Sequence, residues 1–173
     1  DPKVIPFPQA EILKNLTKDN LIYISDGTIC LEIISNEDGI VKCRVRNGGM
    51  ISSYKGLNLP GAKIDLPVLT EADKEAIKFG VDQGVDWVAV SFVRSLEDVR
   101  YAKSYMKEVG AFAPMMAKLE RAEAVGNVDE ILSEVDGVMV ARGDLGVEID
   151  MVDVPVIQKN IVSQAKQAGK VSV

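Results

Sequence analysis

The apolar positions of this chain change rhythm once. Up to about residue 60 they come in short runs, 21–24, 28–34 and 40–45, that alternate with polar residues or run apolar. Asp26-Gly27, Asn36-Glu-Asp-Gly39 and Asn47-Gly-Gly49 separate these runs, and such residues favour tight turns. The pattern predicts three short strands in a small antiparallel unit. From Leu66 onward, apolar residues spaced by three and four alternate with short, wholly apolar runs, the signature of amphipathic helices between buried strands. Thr70-Glu-Ala-Asp73 is a capping-box-like start for a helix running through Gly80. Residues 86–92 predict a buried strand. Ser95-Leu-Glu-Asp98 opens a second helix, with Val99, Ala102 and Met106 on one face. Further strands are predicted at 113–119 and 137–141, with a short helix between them from Asn127 or Asp129 to Glu134. A long helix over 154–168 carries an apolar stripe of Ile157, Ile161, Ala165 and Ala168, and Gly169 stops it.

This alternation predicts an α/β fold: part of a (β/α)8 TIM-type barrel, residues 61–173, preceded by the small antiparallel β unit of residues 1–60. A whole barrel takes roughly 200–250 residues, so 173 residues are expected to hold only part of one. An open doubly wound sheet is the alternative, since local pattern does not separate open from closed sheets.

The most informative chemistry lies at the ends of two predicted strands. In Ala117-Lys-Leu-Glu120, alternation puts Lys118 and Glu120 on one face and Leu119 on the other. Asp144 follows the next apolar run in a Gly-flanked loop. One ammonium and two carboxylates at neighbouring strand ends would suit a divalent metal and a small anionic substrate. A solvated face and a common Gly-Asp turn would give the same spacing. The runs before them are apolar on both faces, however, as buried parallel strands are, and a charged pair there needs partners. Gly143 would let backbone N–H groups approach an anion closely. The three glycines of 137–146 fit neither a dinucleotide loop nor a P-loop.

These blocks resemble pyruvate kinase. Ala117-Lys-Leu-Glu120, Asp129-Glu-Ile-Leu132 and the run from Asp136 through Ala141-Arg-Gly-Asp-Leu-Gly146 to Ile149 carry the likeness. Lys55-Gly-Leu-Asn-Leu-Pro-Gly61, Asp65-Leu-Pro67 and Ser91-Phe-Val-Arg94 add to it, in the same order. The resemblance implies that Lys118 stabilises the enolate as the phosphoryl group leaves phosphoenolpyruvate. It implies that Glu120 and Asp144 hold Mg2+ (or Mn2+), and that the N–H groups of Gly143 and Asp144 hold the substrate carboxylate. Ser91 would be a ligand of K+, and Lys55 would approach the ADP/ATP phosphates. The β unit would be the tail of the family's lid domain, and the parent a cytoplasmic homotetramer.

Two departures qualify the likeness. Arg121 stands where the family usually has Asn or another neutral or small basic residue, and Gly169-Lys-Val-Ser-Val173 replaces Gly-Lys-Pro before a strand and a catalytic Thr. Without that Thr and the N-terminal Arg, Asn, Ser and Asp residues, the isolated chain is expected to have no measurable turnover.

Composition narrows the choice. A net charge of −6 with no long basic run argues against a general nucleic-acid binder. The longest nearly apolar run, around 87–93, is too short to span a bilayer, and the chain opens Asp1-Pro2-Lys3 without a signal-peptide core. With no His, zinc-hydrolase and Ser-His-Asp chemistry are excluded. Cys30 and Cys43 follow no metal-ligand spacing and read as buried free thiols. Trp87 reads as core, Glu123 and Glu148 as solvent-facing, Arg142 as an orienter of carboxylates or a surface ion pair, and Asp136 as non-catalytic. Lys55-Gly56 and Asn58-Leu-Pro-Gly61 read as a hinge between the β unit and the barrel, with a turn at Pro60-Gly61. Pyruvate kinase chemistry, another metal-dependent pyruvate-enolate enzyme such as an aldolase or lyase, and a non-catalytic fragment all remain; the lid-like unit and Lys55–Gly61 motif favour the first.

Overall fold

The computed structural model describes residues 4–7, 10–18, 20–37, 40–53, 55–62 and 66–173. The chain divides into two compact units, Asp1–Leu66 and Pro67–Val173, against an expected division after residue 60. Asp38-Gly39 and Asp65, expected in a turn and in a motif, lie outside the described residues.

The first unit contains helix α1 (Ala10–Lys14) and strands β1 (Leu21–Ile24), β2 (Ile29–Glu37), β3 (Ile40–Asn47) and β4 (Leu57–Asn58). They form one antiparallel sheet in the order β3-β2-β1-β4. Ser25, Asp26 and Gly27 all take positive φ between β1 and β2, so the turn that Asp26-Gly27 announced is a left-handed one. Ile22, Ile24, Ile29, Ile33 and Leu59 make the buried core. The side-chain amide of Asn36 donates to the Leu13 and Leu16 carbonyls and ties α1 to the sheet.

Two expectations change here. Leu57-Asn58, which overlap the expected hinge at Asn58, form a fourth strand: Leu57 and Asn58 pair with Ile24 and Tyr23, and Leu59 is buried. The predicted turn does follow, with Gly61 at φ 70° and the Ala62 N–H donating to the Leu59 carbonyl. Cys30 and Cys43 are free, but half-buried rather than buried: Cys43 lies opposite Ile33 and packs at the small core, whereas Cys30 lies opposite Tyr23 on the other face of the sheet. Burial still pushes the Cys43 thiol up from its ordinary value.

The second unit alternates α2 (Glu71–Gln83), β5 (Val88–Val90), α3 (Leu96–Glu108), β6 (Met115–Leu119), α4 (Ala122–Gly126), α5 (Val128–Glu134), β7 (Gly137–Val140), α6 (Arg142–Glu148), α7 (Val154–Gln167) and β8 (Val171–Ser172). The strands are parallel in the order β5-β6-β7-β8. Each strand pairs with the next in sequence, and among the described residues the order does not reverse as it does at the switch point of a doubly wound sheet. That is the arrangement expected of an arc of a (β/α)8 barrel.

Local signals act as read at most boundaries. Thr70 and Asp73 close the capping box at α2, Ser95 caps α3, and Gly169 ends α7 at φ 67°. Helices α4 and α6 are not expected from the sequence: α4 has only five residues, and α6 carries two glycines and three charges in seven. The strand expected over 86–92 is limited to Val88–Val90, because Phe92 turns to φ 55°. Trp87 is exposed, not core, because it precedes the edge strand β5. Met115, Ala117, Leu119, Val138, Ile131 and Ile161 are among the buried side chains between sheet and helices. No helix among the described residues is long and apolar enough to cross a membrane.

Candidate active site

Parallel strands flanked by helices bury both faces, so a charged group on such a strand is tolerated only near its end. Strand β6 is buried at every position except Lys118, which is half-buried, and Glu120 follows it immediately. The expected same-face geometry holds: Lys118 Nζ lies 2.6 Å from Glu120 Oε1. Glu120 is 1% exposed, and its second oxygen accepts from the Phe92 N–H at 2.9 Å. Lys118 Nζ also donates to Ser91 Oγ at 3.0 Å. Ser91, Lys118 and Glu120 thus meet at the C-terminal ends of β5 and β6, where barrel enzymes gather their chemistry.

Phe92 was not anticipated. A bulky residue at φ 55° is uncommon and strained by about 1–3 kcal/mol. That backbone aims an N–H at a buried carboxylate, and nothing in Ser91-Phe-Val-Arg94 signals it.

Asp144 lies in the first turn of α6, not in a loop. Register pairs Leu119 with Val140, so Glu120 and Asp144 leave the ends of neighbouring strands. Asp144 is half-buried and has no hydrogen-bond or ion-pair partner among the described residues. The N-cap of α6 is Ala141, which offers no side-chain acceptor, so the N–H groups of Gly143 and Asp144 have no partner from a cap. A Cβ on Gly143 would meet nothing within 4 Å, leaving open space beside those donors.

As a donor set, two carboxylates are of the type that Mg2+ or Mn2+ takes, since these ions use few protein carboxylates and keep positions for substrate oxygens. Asp144 has no partner among the described residues, whereas both Glu120 oxygens are engaged, by Lys118 and by the Phe92 N–H. No larger group of potential metal ligands occurs among the described residues. Ser91 Oγ accepts from the Lys118 ammonium at 3.0 Å, and its hydroxyl oxygen has a second lone pair. Lys55 is exposed in the first unit.

The neighbouring residues behave unevenly. Glu123 is partly exposed as expected, but the Glu148 side chain is only 3% exposed and pairs with Arg121 at 3.3 Å. The neighbours of Glu148 in sequence, Val147 and Ile149, are apolar, but the cation that pairs with it comes from a distant segment. Burial pushes the Glu148 carboxyl up from its ordinary value, against the pull of Arg121. Arg142 is exposed and makes no ion pair among the described residues. Asp136 accepts from the Met115 N–H and pairs with Lys103 at the opposite ends of the strands.

Comparison with known proteins agrees with this arrangement. The family described as "Pyruvate kinase, barrel domain" matches residues 1–173. Pyruvate kinase of Debaryomyces hansenii is 43% identical over 171 residues, 98% of this chain and 34% of that protein. Pyruvate kinase of Thermococcus litoralis is 40% identical over 170 residues, 98% of this chain and 36% of that protein. The chain therefore spans about a third of the length of the curated relatives it matches. With an arc of parallel barrel, charged groups at its strand ends and identity running through nearly the whole sequence, the chain belongs to the pyruvate kinase family.

Proposed function

We propose that the chain supplies part of the active site of a metal-dependent phosphoryl transfer from phosphoenolpyruvate to ADP, giving pyruvate and ATP in glycolysis. The observation that carries this reading is the Lys118–Glu120 pair, 2.6 Å apart at the end of β6, with Asp144 at the end of the neighbouring strand. Phosphoryl transfer needs positioning and charge neutralisation more than covalent catalysis, and these groups are suited to both.

Lys118 is the cation for the enolate oxygen. As the bond between that oxygen and phosphorus breaks, the oxygen keeps the electron pair, and an ammonium beside it lowers the cost of that charge. Ser91 holds the ammonium in place. Glu120 and Asp144 would hold Mg2+ or Mn2+, which would neutralise charge on the phosphoryl group and the substrate oxygens when bound. The first-turn N–H groups of Gly143 and Asp144 take the substrate carboxylate. Lys55 approaches the nucleotide phosphates, and residues 1–60 serve as the tail of a lid. The protein working this way is a cytoplasmic homotetramer, and Ser91 is one ligand of a K+ ion.

Mn2+ binding and pyruvate formation by the intact protein separate these assignments. Glu120→Gln and Asp144→Asn should each weaken Mn2+ binding, and unchanged affinity in both would refute the metal assignment. Lys118→Met should spare Mn2+ affinity and cut kcat by at least about 100-fold. Gly143→Ala should leave folding intact yet raise KM for phosphoenolpyruvate, because its methyl occupies the space before the donors. Normal metal binding with an enolate reaction but no ADP dependence would favour a lyase or aldolase instead.

A further inference from the structure

Arg121 is the residue in this site that the resemblance does not account for. It directly follows Glu120, and a guanidinium at the end of a helix-flanked strand would ordinarily reach solvent. Instead it is 7% exposed. Its Nε donates to Glu123 Oε2 at 3.2 Å, and its Nη1 lies 3.3 Å from Glu148 Oε1, an ion-pair contact in which that buried oxygen accepts no hydrogen bond. Glu123 is partly exposed, but Glu148 is as buried as Glu120 in side-chain terms. Burying two such charges is expensive, and well-packed apolar residues often serve stability equally well. The placement of the pair therefore points to a task beyond stability.

Its two ends belong to the two carboxylate segments. Arg121 is the N-cap of α4, one residue beyond Glu120. Glu148 is the last residue of α6, whose first turn carries Gly143 and Asp144. The β6–β7 ladder fixes the strand ends as far as Leu119 and Val140. Beyond it, α6 starts without a side-chain cap, and Leu145 anchors it to the core. Ile149, just past its end, also packs against the core, and the Arg121–Glu148 contact adds an ionic restraint at that same end. The restraint runs to the residue next to Glu120.

We propose that Arg121 is a positioning residue which, by holding Glu148, sets how α6 presents Asp144 and Gly143 relative to Glu120 and thereby sets divalent-metal affinity. This rests on the metal reading above. Groups that orient metal ligands from behind typically change affinity 10- to 100-fold when removed.

The test is Mn2+ titration of the intact protein, read by the electron paramagnetic resonance of free Mn2+, beside thermal unfolding. Arg121→Met is expected to raise the Mn2+ Kd at least about 10-fold. Arg121→Lys keeps the charge but loses the fork that reaches two carboxylates, and should fall between wild type and Met. If Arg121→Met does not fold, Glu148→Gln removes one charge and almost no volume, and should raise the Kd in the same direction. A lower Tm with unchanged Mn2+ affinity in these variants would make the pair merely structural and overturn the proposal. Glu120→Gln separates the two levels. If it leaves Mn2+ binding intact, the metal reading itself fails. If it abolishes binding while the Arg121 and Glu148 variants bind normally, only the positioning role fails.

Discussion

The two units treat charge in opposite ways. On the antiparallel sheet of residues 1–66, Glu32 takes Arg44 and Arg46 across the β2–β3 ladder at 3.4 and 2.9 Å, and both arginines stay more than half exposed. In the parallel unit, the Lys118–Glu120 and Arg121–Glu148 pairs have carboxylates 1% and 3% exposed. An antiparallel sheet with one wet face can place ionic pairs where water screens them and little depends on them. A parallel sheet covered on both faces offers no such place, so charges inside it are costly to retain. Chemistry is therefore to be sought where burial makes a charge expensive, not where charges are most numerous.

The sharpest way to break this comparison is to remove one cation from each unit's pair. Lys118→Met strands a buried carboxylate with only the Phe92 N–H left of the partners described. Loss of one partner from a buried pair costs about 3 kcal/mol. Arg46→Met, on the open sheet, should barely move the unfolding midpoint. Similar losses in both, measured by denaturant unfolding, would mean that burial does not distinguish the units.

Glycines sharpen it at a smaller scale. A Cβ on Gly137 would stand 3.1 Å from the Val171 carbonyl oxygen and 3.2 Å from Val171 Cβ, where β7 meets β8. Backbone does not yield cheaply, so Gly137→Ala should cost about 2 kcal/mol. A Cβ on Gly49 meets only the Ile29 side chain, at 3.0 and 3.2 Å, which can rotate away. Gly49→Ala should cost clearly less, and a reversed order in thermal melts would put the rigid packing in the wrong unit.

How much of this was legible follows the same division. Helices α2, α3 and α7 announce themselves through caps and periodicity that depend only on neighbours in sequence. Lys118 and Glu120 were legible because period-two geometry in a strand needs no tertiary information. Asp144 was found, but its helix was not, since seven residues rich in Gly and charge carry no helical pattern. The burial of Glu148, the exposure of Trp87 and the left-handed Phe92 were hidden. Each depends on a segment distant in sequence: Arg121 over Glu148, the sheet edge at Trp87, Glu120 opposite the Phe92 N–H. Arg121 stood out from the family pattern in sequence, but its destination did not.

Asp136 offers the finest test, because it combines a half-exposed carboxylate like those of the first unit with a backbone contact inside the second. Its Oδ2 accepts from the Met115 N–H at 2.9 Å and lies 3.3 Å from Lys103 Nζ. Partial burial works to raise its carboxyl, but the Met115 N–H and Lys103 outweigh that and hold it below the ordinary aspartate range. A depressed folded-state value means that the unfolded chain takes up the proton first as pH falls. The stabilisation is therefore present above the ordinary aspartate range and is lost as pH falls through the lowered folded value. Asp136→Asn should cost about 1 kcal/mol at neutral pH, a figure already reduced for exposure. The gap from wild type should close as pH drops below the aspartate range. Glu32 is likewise held low, by Arg46 first, but it braces no backbone among the described contacts, so Glu32→Gln should show a weaker pH dependence that salt removes. A salt-insensitive Glu32→Gln effect matching that of Asp136→Asn would mean that the open sheet's ionic pairs matter as much as the strand-end brace.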